Sequence, residues 1–242
     1  MRKLTFATLL IAAGSAAPTW AASPIDQIQA LSQPQFRMLV EDLGGALSYK
    51  PLIPSTTLGI TGFDLGIEMT ATKLDNPAVL DRASSGNGAS TLISPKIAFH
   101  KGLPLGMDVG AFYMSVPSSN IKLFGGEFRY AIVDGGLVTP TVSVRASYTK
   151  LTGVDQLDLD TKGLDVSVAK GFAIVTPYAG IGKVWTTGSP NGLLALAFRE
   201  EKPDLTKFFG GVNFNLGLMN FAFEADKTGD TTSYGAKLGF RW

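Results

Sequence analysis

Apolar and polar residues alternate one by one along most of this chain from Phe63 onward. In residues 63–72, Phe63, Leu65, Ile67, Met69 and Ala71 share one face, while Asp64, Gly66, Glu68, Thr70 and Thr72 share the other. A period of two belongs to β-strands, where successive side chains point to opposite faces. The pattern returns with the apolar faces Ile93/Pro95/Ile97/Phe99, Met107/Val109/Ala111/Tyr113, Phe124/Phe128/Tyr130/Ile132, Val138/Pro140/Val142/Val144/Ala146/Tyr148 and Leu164/Val166/Val168. It continues through Val175/Pro177/Ala179/Ile181/Trp185, Phe208/Val212/Phe214/Leu216 and Met219/Phe221/Phe223/Ala225, and ends on Tyr234/Ala236/Leu238/Phe240/Trp242. This predicts an all-β fold of about ten strands, with eight or twelve as alternatives.

The connections alternate as well. The stretches KGLPLG, VDGGLV, KGF and NLGLMN read as tight turns, with Gly or Pro where a turn needs them. Residues 75–90, 117–120, 152–156, 186–204 and 228–232 read as longer, more polar loops. Short turns at one end and long loops at the other describe a transmembrane antiparallel up-and-down barrel, with the short turns in the periplasm.

One segment breaks the period. Phe36, Leu39, Val40, Leu43 and Leu47 recur at helical spacing after Ser32 and an early Pro34, predicting an amphipathic helix over 34–47. It either covers the periplasmic mouth or lies at the membrane surface, or else it plugs the lumen. Arg37, Glu41 and Asp42, which give it one polar face, favour the first placement.

The polar faces decide which way the strands look, since a soluble ligand-binding barrel would put its apolar side inward. They carry seven acids (Asp64, Glu68, Asp108, Glu127, Asp165, Glu224, Asp226), six bases (Lys96, Arg129, Arg145, Lys207, Lys237, Arg241) and His100, among many small residues. Such a set suits a narrow, partly water-filled lumen lined by an ion network. The apolar faces then meet lipid, where a charge at mid-depth costs about 2–4 kcal/mol. Tyr148 and Trp185 near the loops, with Tyr130, Phe240 and Trp242 near the turns, supply the two interfacial girdles.

Composition changes the picture at the N-terminus. Arg2 and Lys3, the apolar run Leu4–Ala13 and the small residues Thr19 and Ala21 make residues 1–21 a signal peptide. Residues 22–60 are then the helix and a linker, and 61–242 the barrel. Without Arg2 and Lys3, 19 basic residues stand against 20 acidic ones, a net charge of −1 that offers nothing to a nucleic acid. The absence of cysteine excludes disulfides and thiolate metal sites.

The terminal run through Tyr234, Leu238, Phe240 and Trp242 resembles the C-terminal insertion signal of Gram-negative outer-membrane barrels. That likeness implies periplasmic chaperones and the barrel-assembly machinery as partners during biogenesis. More narrowly, DLGGALSYKPLIPSTTLGITGFDLGIE, HKGLPLGMDVGAFY, VDQLDLDTKGLDVSVAKGF and TSYGAKLGFRW resemble a functionally uncharacterised family of small outer-membrane barrel proteins. The resemblance implies the fold over the whole mature chain and carries no catalytic residues.

Candidate chemistry is sparse. His100 is the one histidine, and it falls at the periplasmic end of its strand, away from the outer rim where a surface protease of this shape would keep its site; a lumen hydrogen bond suits it better. Glu224 and Asp226 share a face and could act as an acid and a base, or pair with Lys237 and Arg241 on the neighbouring strand, which is the simpler role. Asp155, Asp158 and Asp160 lack the order and the glycine of a calcium loop and read as a solvated loop. The run LLALAFREEK (193–202) either folds into the mouth or offers a surface contact.

The expectation is therefore a monomeric, non-enzymatic barrel without cofactor or metal, in contact with outer-membrane lipid and lipopolysaccharide. Its role is structural or surface-interacting, with a narrow solute channel as the first alternative and a hydrolase as the second.

Overall fold

The computed structural model describes residues 25–116, 119–136 and 138–242, so the predicted signal peptide and Pro117–Ser118 of one loop lie outside the described residues. Ten strands form: β1 (Phe63–Lys73), β2 (Thr91–Gly102), β3 (Met107–Ser115), β4 (Lys122–Val133), β5 (Thr141–Thr152), β6 (Leu157–Ala169), β7 (Val175–Pro190), β8 (Asp204–Leu216), β9 (Met219–Thr228) and β10 (Thr231–Arg241). Each pairs antiparallel with its chain neighbours, and β1 pairs β10 from Asp64↔Arg241 to Lys73↔Thr232, which closes the barrel. Beyond the last pair, Trp242 N–H donates to Phe63 O (2.9 Å), Phe63 N–H donates to Trp242 O (3.0 Å), and the two rings stack. The terminal aromatic thus fastens the seam, where an open edge in lipid would leave backbone groups unpaired.

The alternation resolves as expected. Leu65, Ile67, Met69, Ile97, Phe99, Phe128, Val166, Ile181, Phe208, Phe223 and Leu238 point outward and are exposed, while Asp64, Glu68, Lys96, His100, Arg129 and Lys207 point inward and are buried. A closed sheet with an apolar outer belt is the β architecture that spans hydrocarbon with its backbone satisfied, and this chain is an integral barrel of the outer membrane. Outward charges lie toward the strand ends: Lys101 stands at the turn end of β2, while Lys162, one outward step from Leu164, and Lys183, one step from Ile181 and 3.9 Å from Asp204, mark the upper limit of the belt on β6 and β7.

Connections after odd-numbered strands share one end, the loop end; the others share the turn end. The expected length asymmetry rests on two loops. Residues 74–90 carry a second helix, α2 (Pro77–Ala83), and residues 191–203 begin with a 3-10 turn at Gly192–Leu196. The expected long loop at 228–232 is corrected to a two-residue turn, Gly229-Asp230, because β9 and β10 pair up to Thr228↔Thr231. The connection 134–140 at the turn end, expected to be tight, spans seven residues.

The predicted helix forms as α1 (Gln33–Leu47), with Ser32 N–H donating to Gln35 Oε1 at 2.9 Å in a capping box. Its position corrects the placement that the polar face favoured. The helix lies inside the loop end, packed against β6, β7, β9, β10 and α2, and therefore plugs the barrel. Of its three polar residues only Arg37 and Glu41 are wet; Asp42 is buried and accepts the backbone N–H groups of Asn76 (2.8 Å) and Asp75 (3.3 Å). Burial pushes the Asp42 carboxyl above its ordinary range, and those two donors pull it back in part.

On the side of α1 that faces β3 to β6 the inward side chains are apolar: Phe112, Met114, Leu123, Leu151, Leu157 and Leu159 join Phe36, Leu39, Val40 and Leu43 in one core, while Thr186 and Thr231 meet the helix glycines on the other side. The interior therefore has two layers, hydrocarbon at the loop end and ions below. The expected ion network occupies the lower layer, and the hydrocarbon around α1 was not anticipated.

Candidate functional site: a strap held inside the barrel

Residues 48–62 leave α1 and run down the lumen to β1 without forming helix or strand. Their sequence explains why. Pro51 and Pro54 have no N–H to give, so the segment SYKPLIPSTT is an extended strap with more acceptors than donors. A carbonyl buried without a donor costs about 1–3 kcal/mol, and the barrel wall answers with cations. Lys207 Nζ donates to Tyr49 O (2.7 Å), Lys96 Nζ to Lys50 O, Lys237 Nζ to Leu52 O (3.5 Å), and Arg129 to Pro54 O (2.6 Å) and Thr56 O (3.4 Å). Lower down, Leu58 N–H donates to Asp108 Oδ1 (3.0 Å) and Ser55 Oγ to Ser167 Oγ (2.7 Å).

Three of those cations also hold a wall carboxylate: Lys96–Glu68 at 3.2 Å, Lys237–Asp64 at 2.5 Å and Arg129–Asp108 at 2.8 Å. Each bridges wall and strap, so the strap is tied by charge-assisted hydrogen bonds. Space is made for it by small wall residues. Leu52 stands at φ 46°, and an added Cβ at Gly235 would lie 2.6 Å from its Cδ2. Above, an added Cβ on Gly44 of α1 would lie 2.2 Å from Thr186 Oγ1, so the helix docks with its backbone against β7.

The ion pairs link into a belt around the lumen. Asp165 meets Arg145 (3.0 Å), Arg145 meets Glu127 (3.5 Å), Glu127 faces His100 (3.6 Å), His100 faces Asp64 (3.9 Å), and Asp64 also holds Arg241 (2.8 Å). His100 is fully enclosed, with Tyr49 Oη of the strap 3.5 Å from its Nε2. Arg145 and Lys207 stand over the Phe209 ring, and Lys96 over Phe112.

All thirteen residues expected in the lumen network, Asp64, Glu68, Lys96, His100, Glu127, Arg129, Arg145, Asp165, Lys207, Glu224, Asp226, Lys237 and Arg241, face the interior. The partnership expected for Glu224 and Asp226 is corrected. Lys237 and Arg241 lie opposite Glu68 and Asp64 on β1, across the seam. Glu224 instead accepts from Tyr178 Oη at 2.9 Å, and Asp226 pairs with Lys50 of the strap at 3.6 Å. Lys50, buried and also bonded to Gly45 O at 2.6 Å, is the residue that sequence reading missed. Its signal was arithmetical: it supplies a seventh base to match the seven inward acids.

The run 193–202 folds over the mouth. Phe198 packs on Phe36 of α1 with ring centroids 5.5 Å apart, and Glu201 bonds Gln33 (2.5 Å) and Arg37 (3.3 Å). Leu193 and Leu196 at its tip stay exposed. The expected aspartate loop is corrected in part: Asp158 and Asp160 lie on β6, where Asp158 faces Lys150 at 4.0 Å.

No family model matches the chain, and no curated protein matches it. Solved structures with some likeness include the N-terminal β-barrel domain of Pseudomonas aeruginosa OprF, at 11% identity over 76% of this chain and 99% of that one, with a TM-score of 0.38. Others are Pseudomonas aeruginosa OprG, at 12% identity over 78% of this chain and 99% of that one with a TM-score of 0.36, and the KdgM porin, at 8% identity over 74% and 98% with a TM-score of 0.36. Likeness at these values says nothing of activity; the barrel rests on this chain's own register and faces.

Proposed function

We propose that the chain is a non-conducting outer-membrane barrel with a structural or surface-interaction role, its lumen sealed by its own N-terminal segment. The observation that carries this is the strap: four wall cations bond its carbonyls while α1 fills the mouth above. Loops borne on such a rigid scaffold are where contacts with partners are made, and the exposed Leu193 and Leu196 stand at the tip of one. The enclosure of His100 supports a non-enzymatic reading, since no substrate reaches it. The protein acts as a monomer among outer-membrane lipid and lipopolysaccharide, after delivery by chaperones and insertion by the assembly machinery.

The test is electrical. The purified protein in planar bilayers gives no reproducible conductance steps, and a variant lacking residues 25–58 gives them. Discrete steps from the intact chain would overturn the reading. They would favour a narrow channel, for which the polar cavity of about 240 Å³ at the turn end, beside Thr56, Thr57 and Asp134, is a ready vestibule.

A further inference from the structure

Among the described residues, one stretch of the wall has no strand partner on one side. Strand β2 pairs with β1 over its whole length, from Lys101↔Phe63 to Thr91↔Lys73. With β3 it pairs only from Gly102↔Asp108 to Ile97↔Tyr113, and among the described residues its upper part, 91–96, has no strand partner on that side. Pro95, which has no N–H to offer a ladder, stands in this part, where sheets tolerate proline. Strand β3 meanwhile continues with β4 up to Ser115↔Lys122. The result is a notch in the barrel wall near the loop end.

Behind the notch lies a cavity of about 120 Å³ lined by Leu43 and Leu47 of α1, Leu80 of α2, and Met114, Val116 and Ile121. Its rim includes Ile93, which is 41% exposed and belongs to the outward apolar belt, and Ser94, which faces inward. The lining of the cavity therefore reaches from the interior to a residue of the outward apolar belt. The volume is near that of the roughly 150 Å³ apolar cavity that stays dry and takes up benzene, which suits the end of one hydrocarbon chain and not a whole lipid. Two exposed lysines stand at the loop end on the strands next to those that border the notch: Lys73 on β1, opposite Thr91 of β2, and Lys122 on β4, opposite Ser115 of β3.

We propose that this cavity binds the hydrocarbon chain of an anionic membrane lipid, which enters sideways from the bilayer between β2 and β3 with its phosphate between Lys73 and Lys122. The reach of the lining to the lipid-facing belt, its hydrocarbon character and the exposed cation one strand away on either side each point to that occupant. The site is independent of whether the lumen conducts.

Reconstitution in vesicles of phosphatidylglycerol bearing a diazirine at the end of one acyl chain tests it. Photolysis labels the inward residues Met114 and Leu80 as well as the outward belt, and Met114→Trp, which fills the cavity, removes the inward labels while the belt labels persist. Val116→Trp serves as a second filling variant, and retention of the fast-migrating unboiled band shows that each variant is folded. Lys73→Gln/Lys122→Gln lowers inward labelling by phosphatidylglycerol and leaves that by a phosphatidylcholine probe unchanged. Labels confined to the belt overturn the proposal. So does inward labelling by a small free diazirine hydrocarbon but not by the lipid, which would make the cavity a site for apolar solutes.

Discussion

Lys50 and Asp226 set the terms at the scale of the residue. Each is almost fully enclosed, and a charge taken from water without a partner is costly, so either one alone would be a defect. Removing one member of such a pair costs about 3–5 kcal/mol, whereas neutralising both is far milder. Lys50→Met is therefore expected to lower sharply the temperature at which the compact band is lost on unboiled gels, and Lys50→Met/Asp226→Asn to recover most of the loss. A single variant as stable as the parent would show that the pair is not buried as described. Asp64 invites the same reasoning in reverse, because Asp64→Asn leaves Lys237 and Arg241, both on β10, without the carboxylate of β1 that holds them across the seam. Its expected effect is a lower closure temperature with unchanged secondary structure by circular dichroism.

The helix shows what an element's surroundings add to its pattern. Its apolar stripe was legible in the sequence, since Phe36, Leu39, Val40, Leu43 and Leu47 are all buried. Its location was not, because one polar face says only that something wet or charged lies opposite, and here Asp42 is met by backbone N–H groups of the first loop. The two glycines at 44 and 45 were the available clue to a close approach. Gly44→Leu should undock the helix, and Thr186→Gly in the same chain should restore part of the docking by vacating the space; protease accessibility of α1 in intact cells reads both. Phe36→Ala removes the ring that packs on Phe198 and is expected to cost about 3–5 kcal/mol. The strap escaped notice for a different reason. An extended, proline-bearing segment has no periodicity, and its bonds are made by side chains far away in sequence.

At the scale of the whole molecule, alternation fixed the strand number, the faces and the closing partner, because a one-residue slip would turn every charge into lipid. Length rules for the connections served less well, as the two-residue turn at Gly229-Asp230 shows. The division of the interior into a hydrocarbon layer and an ionic layer was beyond pattern reading, since both layers are inward-facing positions of the same strands. Apolar residues at inward positions, such as Leu123, Leu151, Leu157 and Leu159, were its one signal, and α1 is what they cover.

The seam has a consequence for how such an object is made. The rod that fills the lumen precedes β1 in the chain, and the strand that completes the ring is the last, so a finished hoop never has to be threaded. Assembly amounts to wrapping a sheet around a mandrel and fastening the wrap with Trp242. A chain stalled just before that tryptophan would hold its core already in place inside an open cylinder.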